Sequence, residues 1–423
     1  MVRLITLLHH KMPLKIIVCG GGIGGLSAAG YLRAQHDVTV LERGTLDFTN
    51  NDYGLSVVSN AFTLLQKAGI STEHLDMVVM THLWVRDNTG KELRTAHFDT
   101  RARFGGAPSV LVKRAKLQQE LVRFATGAGF PGSPAEIVQN AKVARVDAQA
   151  GTVTTEDGRV FQGDLVIGAD GINSVVRSAV FEGKGTPRTH DLLAFMTRVS
   201  VDDLKSDPHF AYLAKDPTSQ AGLCSFYTAT GQQSNKRIMA YHTSPCDLQV
   251  LGYTSEKEFA EKFDSLNTGI IKDVPISRVV DDFAPDFAEP LVNLFRHGRI
   301  DAWRVRDITP MDNWVQDKVV LIGDAGHAVT QHAGQGCNIT IEDAEALGYL
   351  LQDATPDVVP AALERFMSLR KDRVALVARR SRELGNLQSD EDKTKVPITA
   401  EEFAKAMYGY QGAEHYLKTS THA

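Results

Sequence analysis

Cysteine is scarce in this sequence. Four cysteines occur among 423 residues, and no two of them have the C-x-x-C spacing of structural zinc sites or redox pairs. They are Cys19, Cys224, Cys246 and Cys337. So scattered a set favours a reducing compartment and argues against a zinc site. We therefore predict a cytoplasmic protein that binds no metal.

The sequence also lacks a long apolar run and a strong excess of either charge. The N-terminal stretch Leu4–Leu8 is interrupted by Thr6 and is far shorter than the roughly 18 residues that a membrane-spanning helix needs. We predict that residues 1–11 are an extension ahead of the first strand and that the chain has no integral membrane segment. The formal net charge of −5 gives no reason to expect nucleic acid or an anionic membrane as a partner.

Glycine, in contrast, is concentrated in one informative motif. Gly20, Gly22 and Gly25 form a G-x-G-x-x-G frame between an apolar strand-like run at 14–18 and a helical stretch at 26–32. A second strand-like run ends at Glu42, close to the spacing of about 20 residues that the fingerprint requires. This arrangement predicts a βαβ dinucleotide-binding unit. The alternative, a glycine-rich turn in an ordinary α/β protein, leaves Glu42 unexplained.

Each residue of this motif has a physical task. Gly20 permits a tight turn, Gly22 lets a pyrophosphate approach the backbone, and Gly25 allows helix and strand to pack closely. The helix N-terminus offers unpaired N–H groups to the phosphates. The Glu42 carboxylate can accept hydrogen bonds from ribose hydroxyls.

A second nucleotide motif lies near the end of the chain, in the segment 323–344. Asp324 follows a buried strand and can accept a hydrogen bond from a ribose or ribityl hydroxyl. Gly334 and Gly336 precede a helix whose first N–H groups can face a phosphate or a developing negative charge. We interpret His327 as a packed, hydrogen-bonded core histidine rather than a catalytic one.

The order of elements predicts an α/β protein with an interrupted nucleotide-binding domain. Residues 13–186 form its first part and 306–385 its second, which includes a long helix with basic residues on its solvated face. Residues 187–305 read as an inserted α+β domain, and 386–423 as a C-terminal extension with helical content.

Three motifs in this order resemble the FAD-dependent aromatic hydroxylases, the single-component flavoprotein monooxygenases similar to salicylate hydroxylase. They are the glycine frame at Gly20–Gly25, the pair Asp170–Gly171 and the pair Gly323–Asp324. The resemblance covers roughly residues 13–385 and implies a Rossmann-like FAD-binding domain with an inserted substrate domain. It also implies FAD contacts for the following residues: Gly20, Gly22, Gly25, Glu42, Arg43, Gly54, Arg114, Asp170, Gly171, Asp324, Gly334, Gly336 and Cys337.

Departures from the family pattern fall near the expected substrate pocket. Gln331 stands where a proline is frequent, and Met196 where phenol hydroxylases often have arginine. Arg198 would lie on the same strand face as Met196. A frequent Tyr-Pro pair appears as Tyr241-His242. We predict Tyr241, His242 and Arg198 as catalytic candidates that promote phenolate formation, against the alternative that they are ordinary strand residues.

The resemblance implies that NADH or NADPH reduces FAD, and that a flavin hydroperoxide formed with O₂ hydroxylates a small aromatic molecule. The sequence has no second glycine fingerprint for a stably bound nicotinamide cofactor. Two alternatives remain open: an epoxidase or oxidase on the same scaffold, and a non-catalytic binding protein of the same fold. The chain is expected to be a monomer or a homodimer.

Overall fold

The computed structural model describes residues 12–48, 52–205, 207–215, 220–228, 236–259 and 269–420. The predicted extension at residues 1–11 lies outside them. The sequence pattern also predicts a helical stretch from about Glu256 to Phe263, and its part beyond Phe259 lies outside the described residues as well. The strands are β1 Lys15–Cys19, β2 Asp37–Leu41, β3 Gly54–Val57, β4 Val78–Asp87, β5 Glu92–His97, β6 Val110–Lys113, β7 Glu136–Val138, β8 Val143–Asp147, β9 Thr152–Thr155, β10 Val160–Gln162, β11 Leu165–Gly168, β12 Pro187–Ser200, β13 Ala221–Tyr227, β14 Arg237–His242, β15 Asp247–Thr254, β16 Ile270–Val274, β17 Ile300–Ile308, β18 Val315–Gln316 and β19 Val319–Leu321.

Helices of very different length connect and cover these strands. They are α1 Ile23–Leu32, α2 Ser59–Lys67, α3 Thr100–Phe104, α4 Arg114–Thr126, α5 Val175–Val180, α6 Val201–Leu204, α7 Ala211–Ala214, α8 Glu256–Phe259, α9 Ile276–Phe283, α10 Glu289–Asn293, α11 Asp324–His327, α12 Gly336–Leu350, α13 Val359–Leu384, α14 Asp390–Thr394, α15 Ala400–Tyr408 and α16 Ala413–Ser420. The protein is a mixed α/β protein, as predicted.

The first sheet contains the glycine-rich turn. Its strand order is β18-β19-β11-β1-β2-β7, and all neighbours except β18 and β19 pair in parallel. Strand β1 lies inside the sheet, and four of its five residues are buried. The apolar runs predicted before Gly20, Gly168 and Gly323 thus become neighbouring strands, so their carboxyl ends meet at one edge.

The second sheet is larger and mostly antiparallel. Its path is β16-β17-β12-β15-β14-β13-β4-β6-β3, and β5 pairs with β4. Strands β3, β4 and β6 come from residues 54–113, ahead of the predicted insertion at 187–305. The sheet therefore recruits strands from both sides of that boundary, and the domain division stays a prediction.

The long helix α13 has nearly the predicted bounds but a different environment. Arg370, Arg373 and Arg382 are buried, so the expectation that its basic residues lie on the solvated face is wrong for these three. Their burial is compensated by ion pairs with buried carboxylates: Glu342 and Asp343 accept from Arg370, and Asp307 accepts from Arg382. No described helix is long and apolar enough to cross a membrane.

Candidate active site

The turn from β1 into α1 leaves no room for side chains at two of its glycines. Gly20 has φ +113°, and a Cβ there would lie 2.5 Å from the Ala169 carbonyl oxygen. A Cβ on Gly25 would lie 1.8 Å from the Gly20 carbonyl oxygen. At Gly22 a Cβ would meet nothing within 4 Å. The first two glycines are therefore required by the turn itself, whereas Gly22 borders open space.

Glu42 stands beside this turn at the end of β2. Its two carboxylate oxygens accept hydrogen bonds from the backbone N–H of Gly21, at 2.7 Å, and of Gly44, at 2.8 Å. Each oxygen keeps a second lone pair for a further donor. Arg43 is exposed next to it. The backbone therefore orients the Glu42 carboxylate at the mouth of the glycine turn.

The turn into α12 is anchored by a residue that sequence reasoning missed. Buried Asn338 accepts from the Val58 N–H at 2.9 Å and donates to the carbonyls of Ser56, at 3.1 Å, and Gly334, at 2.8 Å. Gly334 has φ +61°, which favours glycine. These bonds hold the first turn of α12, where helix N–H groups and the positive end of the dipole are available to a ligand.

Asp324, at the first position of α11, is a carboxylate without a protein partner. It makes no hydrogen bond or ion pair with any residue that the structure describes, although its side chain is exposed to solvent in its cleft. Burial raises its pKa against the opposing effect of His327, Arg114 and Arg177. A carboxylate that cations surround without pairing is available to accept from a bound hydroxyl.

Arg114, Cys337 and Tyr53 lie around Asp324. The Arg114 guanidinium is 5.4 Å from the centre of the Tyr53 ring. Burial raises the pKa of Cys337 to about 12, and the neighbouring charges that act on it are Arg114 and Asp324. The structure thus brings three predicted residues together and adds Tyr53, which carried no motif in the sequence.

Asp170, in contrast, is already engaged by the protein. Its carboxylate accepts from the Ser174 hydroxyl and from the N–H groups of Val175 and Val176, at 2.7 and 3.2 Å, and so caps α5. Gly171 has φ +80° with open space around it. Cofactor contacts for this pair stay a prediction, because the observed contacts are those of a helix N-terminus.

A fully buried ion network supports the turn that carries Asp324. Asp343 accepts from the Gly323 N–H at 3.0 Å, from His327 Nε2 at 2.6 Å and from Arg370 Nε at 2.8 Å. His327 is therefore a hydrogen-bonded core histidine, which confirms that interpretation. Arg370 and Arg373 also pair with Glu342 on the neighbouring position of α12.

One face of the second sheet forms a wall opposite these turns. Alternation along β12, β14, β15 and β17 places Met196, Met239, Leu251, Tyr253 and Trp303 in one apolar cluster. The Tyr53 ring meets the Trp303 ring edge to face, with centroids 5.3 Å apart. We define these five residues as the aromatic wall.

The three residues that the sequence predicts as catalytic lie in different places relative to the aromatic wall. Tyr241 lies on the face of the wall, but its hydroxyl donates to the Gly54 carbonyl at 2.8 Å. Arg198 is also on that face and is partly exposed, where it donates to the Asp52 carboxylate at 3.0 Å. His242 is on the opposite face, fully buried, with Nε2 2.9 Å from the Leu213 carbonyl oxygen. Because strand residues alternate between the two faces of the sheet, His242 points away from the site. The prediction that His242 is catalytic is therefore wrong.

Gly54 is required for packing. A Cβ there would lie 2.2 Å from Thr243 Cγ2 and 2.6 Å from Tyr241 Cε2. Its predicted contact with the cofactor stays a prediction.

Other residues of the site have no sequence signal beyond strand alternation. His332, in the short 3-10 helix Gln331–Ala333 ahead of α12, contacts the Tyr253 ring with centroids 5.4 Å apart. Arg237 covers the same ring at 4.7 Å. Since these residues come from three separate segments, no local motif connects them.

The site fits FAD on its own geometry. An open approach at Gly22, two helix N-termini and the carboxylates of Glu42 and Asp324 match the phosphates and hydroxyls of a dinucleotide. The unpaired Asp324 is the carboxylate best placed for a ligand, because it is exposed to solvent and accepts from no described donor.

Comparisons with known proteins agree with this geometry. A family model described as "FAD binding domain" matches residues 13–381. The hispidin-3-hydroxylase of Neonothopanus nambi is 31% identical over 378 residues, which cover 88% of each chain. The salicylate hydroxylase of Pseudomonas putida is 28% identical over 416 residues, 90% of this chain and 87% of that enzyme.

Solved structures show the same fold. The Klebsiella pneumoniae HpxO complex with FAD and uric acid superimposes with a TM-score of 0.71 at 23% identity and covers 96% of this chain and 95% of that one. A 2-methyl-3-hydroxypyridine-5-carboxylic acid oxygenase gives a TM-score of 0.68 at 20% identity, with 93% and 96% covered. The predicted cofactor FAD is confirmed. The chain belongs to the FAD-dependent aromatic hydroxylases of this FAD-binding family and is an FAD-dependent monooxygenase, an oxidoreductase.

Proposed function

We propose that this monooxygenase uses NADH or NADPH and O₂ to hydroxylate the ring of a small aromatic molecule. The observation that carries the proposal is the contact of Tyr53 with Trp303 at 5.3 Å, which joins the Asp324 turn to the aromatic wall. A ring held against this wall would lie next to the start of α12. The names of the relatives, which hydroxylate hispidin, salicylate and 3-hydroxybenzoate, support an aromatic substrate.

The residues of the chain have separable tasks in this reaction. Bound FAD, once reduced, supplies the activation of O₂ and the transfer of one oxygen atom. Glu42 and Asp324 accept from cofactor hydroxyls, while Arg114 and the N–H groups at Gly336 and Cys337 offer positive potential to its negatively charged parts. The aromatic wall binds the apolar ring and excludes water from the reacting atoms.

The finer assignments belong to the same proposal. We assign the Rossmann-like FAD domain to 13–186 and 306–385, the substrate domain to 187–305, and an assembly no larger than a homodimer. Gly20, Gly22, Gly25, Gly54 and Gly334 shape the backbone around the cofactor. Tyr241 and Arg198 remain catalytic candidates that would have to exchange their present protein partners for substrate.

The test follows oxygen and reductant separately. Purified protein with FAD is mixed with NADPH, ¹⁸O₂ and salicylate or hispidin, and products are analysed by mass spectrometry while absorbance reports NADPH loss. We expect one ¹⁸O atom in a hydroxylated product and NADPH oxidation that the substrate accelerates. NADPH oxidation that yields only hydrogen peroxide with every aromatic tested would contradict hydroxylation and favour an oxidase. The assay also compares two variants, Asp324→Asn at the proposed cofactor site and Asp312→Asn at an exposed control position.

A further inference from the structure

Two histidines face each other across the β4–β5 hairpin. His82 on β4 and His97 on β5 are directly opposite in the antiparallel register, so both side chains lie on the same face of the sheet. His97 is exposed and makes no hydrogen bond with any described residue, whereas His82 is 9% exposed. Imidazole nitrogens are common ligands of transition-metal ions, so the geometry of this pair decides what it can bind.

The separation of the two rings suits one shared ion. A metal–nitrogen bond of about 2.0 Å places an ion about 3.2 Å from each ring centre, so two imidazoles that bind it at an angle of about 90–110° have centres about 4.5–5.2 Å apart. The observed distance between the ring centres of His82 and His97 is 4.7 Å. Strand β5 pairs with β4 alone among the described strands, which leaves the exposed His97 room to turn its ring toward the ion. The hairpin therefore holds the two rings at the distance of neighbouring ligands.

A hydrogen bond behind His82 fixes which of its nitrogens is available. The Thr81 hydroxyl oxygen lies 2.8 Å from His82 Nδ1, and the hydroxyl donates to the Ala221 carbonyl at 3.1 Å. A hydroxyl has one hydrogen, so the Thr81 oxygen accepts from His82 Nδ1–H. The neutral ring then carries its lone pair on Nε2, which makes no hydrogen bond with a described residue. Histidines that bind metals characteristically donate their other ring N–H in this way, because the bond fixes the tautomer and the ring orientation.

The histidine pair lies away from the proposed reaction. The His82 ring stacks on the Trp84 ring, with centroids 5.1 Å apart and an angle of 6° between the planes. Trp84 packs in the apolar cluster that contains Phe195, whereas the next residue along β12, Met196, belongs to the aromatic wall. Because neighbouring strand residues point to opposite faces, the two histidines lie on the face of the second sheet that is turned away from the wall.

We propose that His82 and His97 form a two-imidazole site for a divalent transition-metal ion, with water completing the coordination. Cu²⁺ should bind ahead of Zn²⁺, because imidazole suits both ions and Cu²⁺ stands highest among the divalent first-row metals. No group of three or more His, Cys, Asp and Glu side chains that could hold a metal occurs among the described residues, so the chain supplies two ligands. The sequence argued against zinc from the spacing of cysteines, and a histidine pair that a hairpin brings together carries no such spacing signal.

The test titrates Cu²⁺ into the FAD-loaded protein. All proteins carry His9→Ala and His10→Ala, because adjacent histidines near the start of the sequence are competing ligands. Binding is read from tryptophan fluorescence, which a Cu²⁺ ion beside Trp84 quenches, and from the EPR spectrum, whose splitting counts nitrogen ligands. We expect one ion per chain with two nitrogen ligands, weaker binding of Zn²⁺ by calorimetry, and no binding of Mg²⁺, which prefers oxygen ligands.

Variants assign the ligands. His82→Leu and His97→Leu should each weaken Cu²⁺ binding by about tenfold or more, and Thr81→Val, which removes the hydroxyl behind His82, by about tenfold. The exposed position of His97 keeps the test decisive should His82→Leu fail to fold. The matched control is His209→Leu, because His209 is a surface histidine 2.9 Å from the Asp207 carboxylate, and this variant should bind Cu²⁺ like its parent.

Each outcome supports or overturns the site. Unchanged Cu²⁺ affinity in a folded His97→Leu protein would overturn it, as would an EPR spectrum with a single nitrogen ligand or an equal loss of binding in His209→Leu. The variants should leave the rate of flavin reduction unchanged, since the pair lies away from the aromatic wall. Cu²⁺ binding with the expected ligands but no hydroxylated product would retain the metal site and reject the proposed reaction, and the reverse result would reject the metal site alone.

Discussion

Two groups of charged side chains in this protein have opposite surroundings. Beneath α12, Glu342, Asp343 and Arg370 are all fully buried, and every carboxylate oxygen of the two acids has a donor. Asp324, at the start of α11, and Arg237, on β14, have no ion-pair partner among the described residues. The first group is complete without a ligand and serves the architecture. The second group is incomplete, and under the proposed function Asp324 contacts the cofactor.

The sharpest test of this comparison uses two glycines of one turn. Gly25→Ala would place a Cβ 1.8 Å from a backbone oxygen, and we expect it to destabilise the protein by about 4 kcal/mol or to prevent folding. Gly22→Ala meets nothing within 4 Å and should leave the stability of the FAD-free protein unchanged while it weakens FAD binding. Urea unfolding and FAD titration measure the two effects. Equal stability loss in both variants would contradict the distinction.

Breaking the complete network should cost nearly as much. Arg370→Met leaves Glu342 and Asp343 without their shared cation, so we expect a loss of about 3–5 kcal/mol in the free energy of unfolding. The control is Arg365→Met on the exposed side of α13, which should change stability by less than about 0.5 kcal/mol. Similar small changes in both variants, read from urea unfolding, would mean that the network is not structurally required.

Asp324 should behave in the opposite way. Asp324→Asn removes a charge that has no internal partner, so the FAD-free protein should be as stable as the wild type or more so. FAD affinity should fall by about 10- to 100-fold, which corresponds to about 1.5–3 kcal/mol for a hydrogen bond to a charged group. Fluorescence titration with FAD and thermal unfolding without FAD separate these effects. A destabilised FAD-free protein with unchanged FAD affinity would place Asp324 among the structural charges.

Glu345 is an intermediate case, because it is largely buried and its carboxylate accepts, among the described residues, only from a backbone N–H. We expect a smaller, pH-dependent effect on stability from its substitution. Burial raises its pKa to about 7 from an ordinary value of 4.5, although its carboxylate accepts from the Ala413 N–H. Because the folded state binds the proton more tightly, this contribution to stability is present below pH 4.5 and is lost as the pH rises through 7. The free energy of unfolding of Glu345→Gln, measured relative to that of the wild type, should therefore be about 2 kcal/mol higher at pH 8 than at pH 5.

The measurement for Glu345 is urea unfolding of both proteins at the two pH values. Glu364→Gln, at an exposed position of α13, is the control and should show no such difference. A Glu345→Gln variant whose advantage did not grow with pH would show that the wild-type side chain is already ionised in the folded state.

Sequence reasoning predicted the strands and turns around the site where their patterns are local, while the cofactor contacts of Glu42 and Asp324 stay predictions. Each of these features occupies a short contiguous segment: the glycine turn, Glu42 and the Asp324 turn. The backbone conformation of each segment is set by residues that are adjacent in the sequence. His327 was also interpreted correctly, although its partner Asp343 was not named. The reasoning failed for Arg370 and His242, because helix periodicity and strand alternation say which residues share a face but not what that face meets.

The amino-acid sequence by itself determined the parallel strands, the glycine-rich turns and the acids that follow them, because these depend on steric and hydrogen-bonding needs within a few residues. Only the tertiary structure decided that Tyr53 contacts Trp303, that α13 buries three of its arginines, and that Arg237 and His332 lie against one tyrosine ring. These contacts join different elements that are separated along the chain, and their energies depend on burial and on partners that no single element contains.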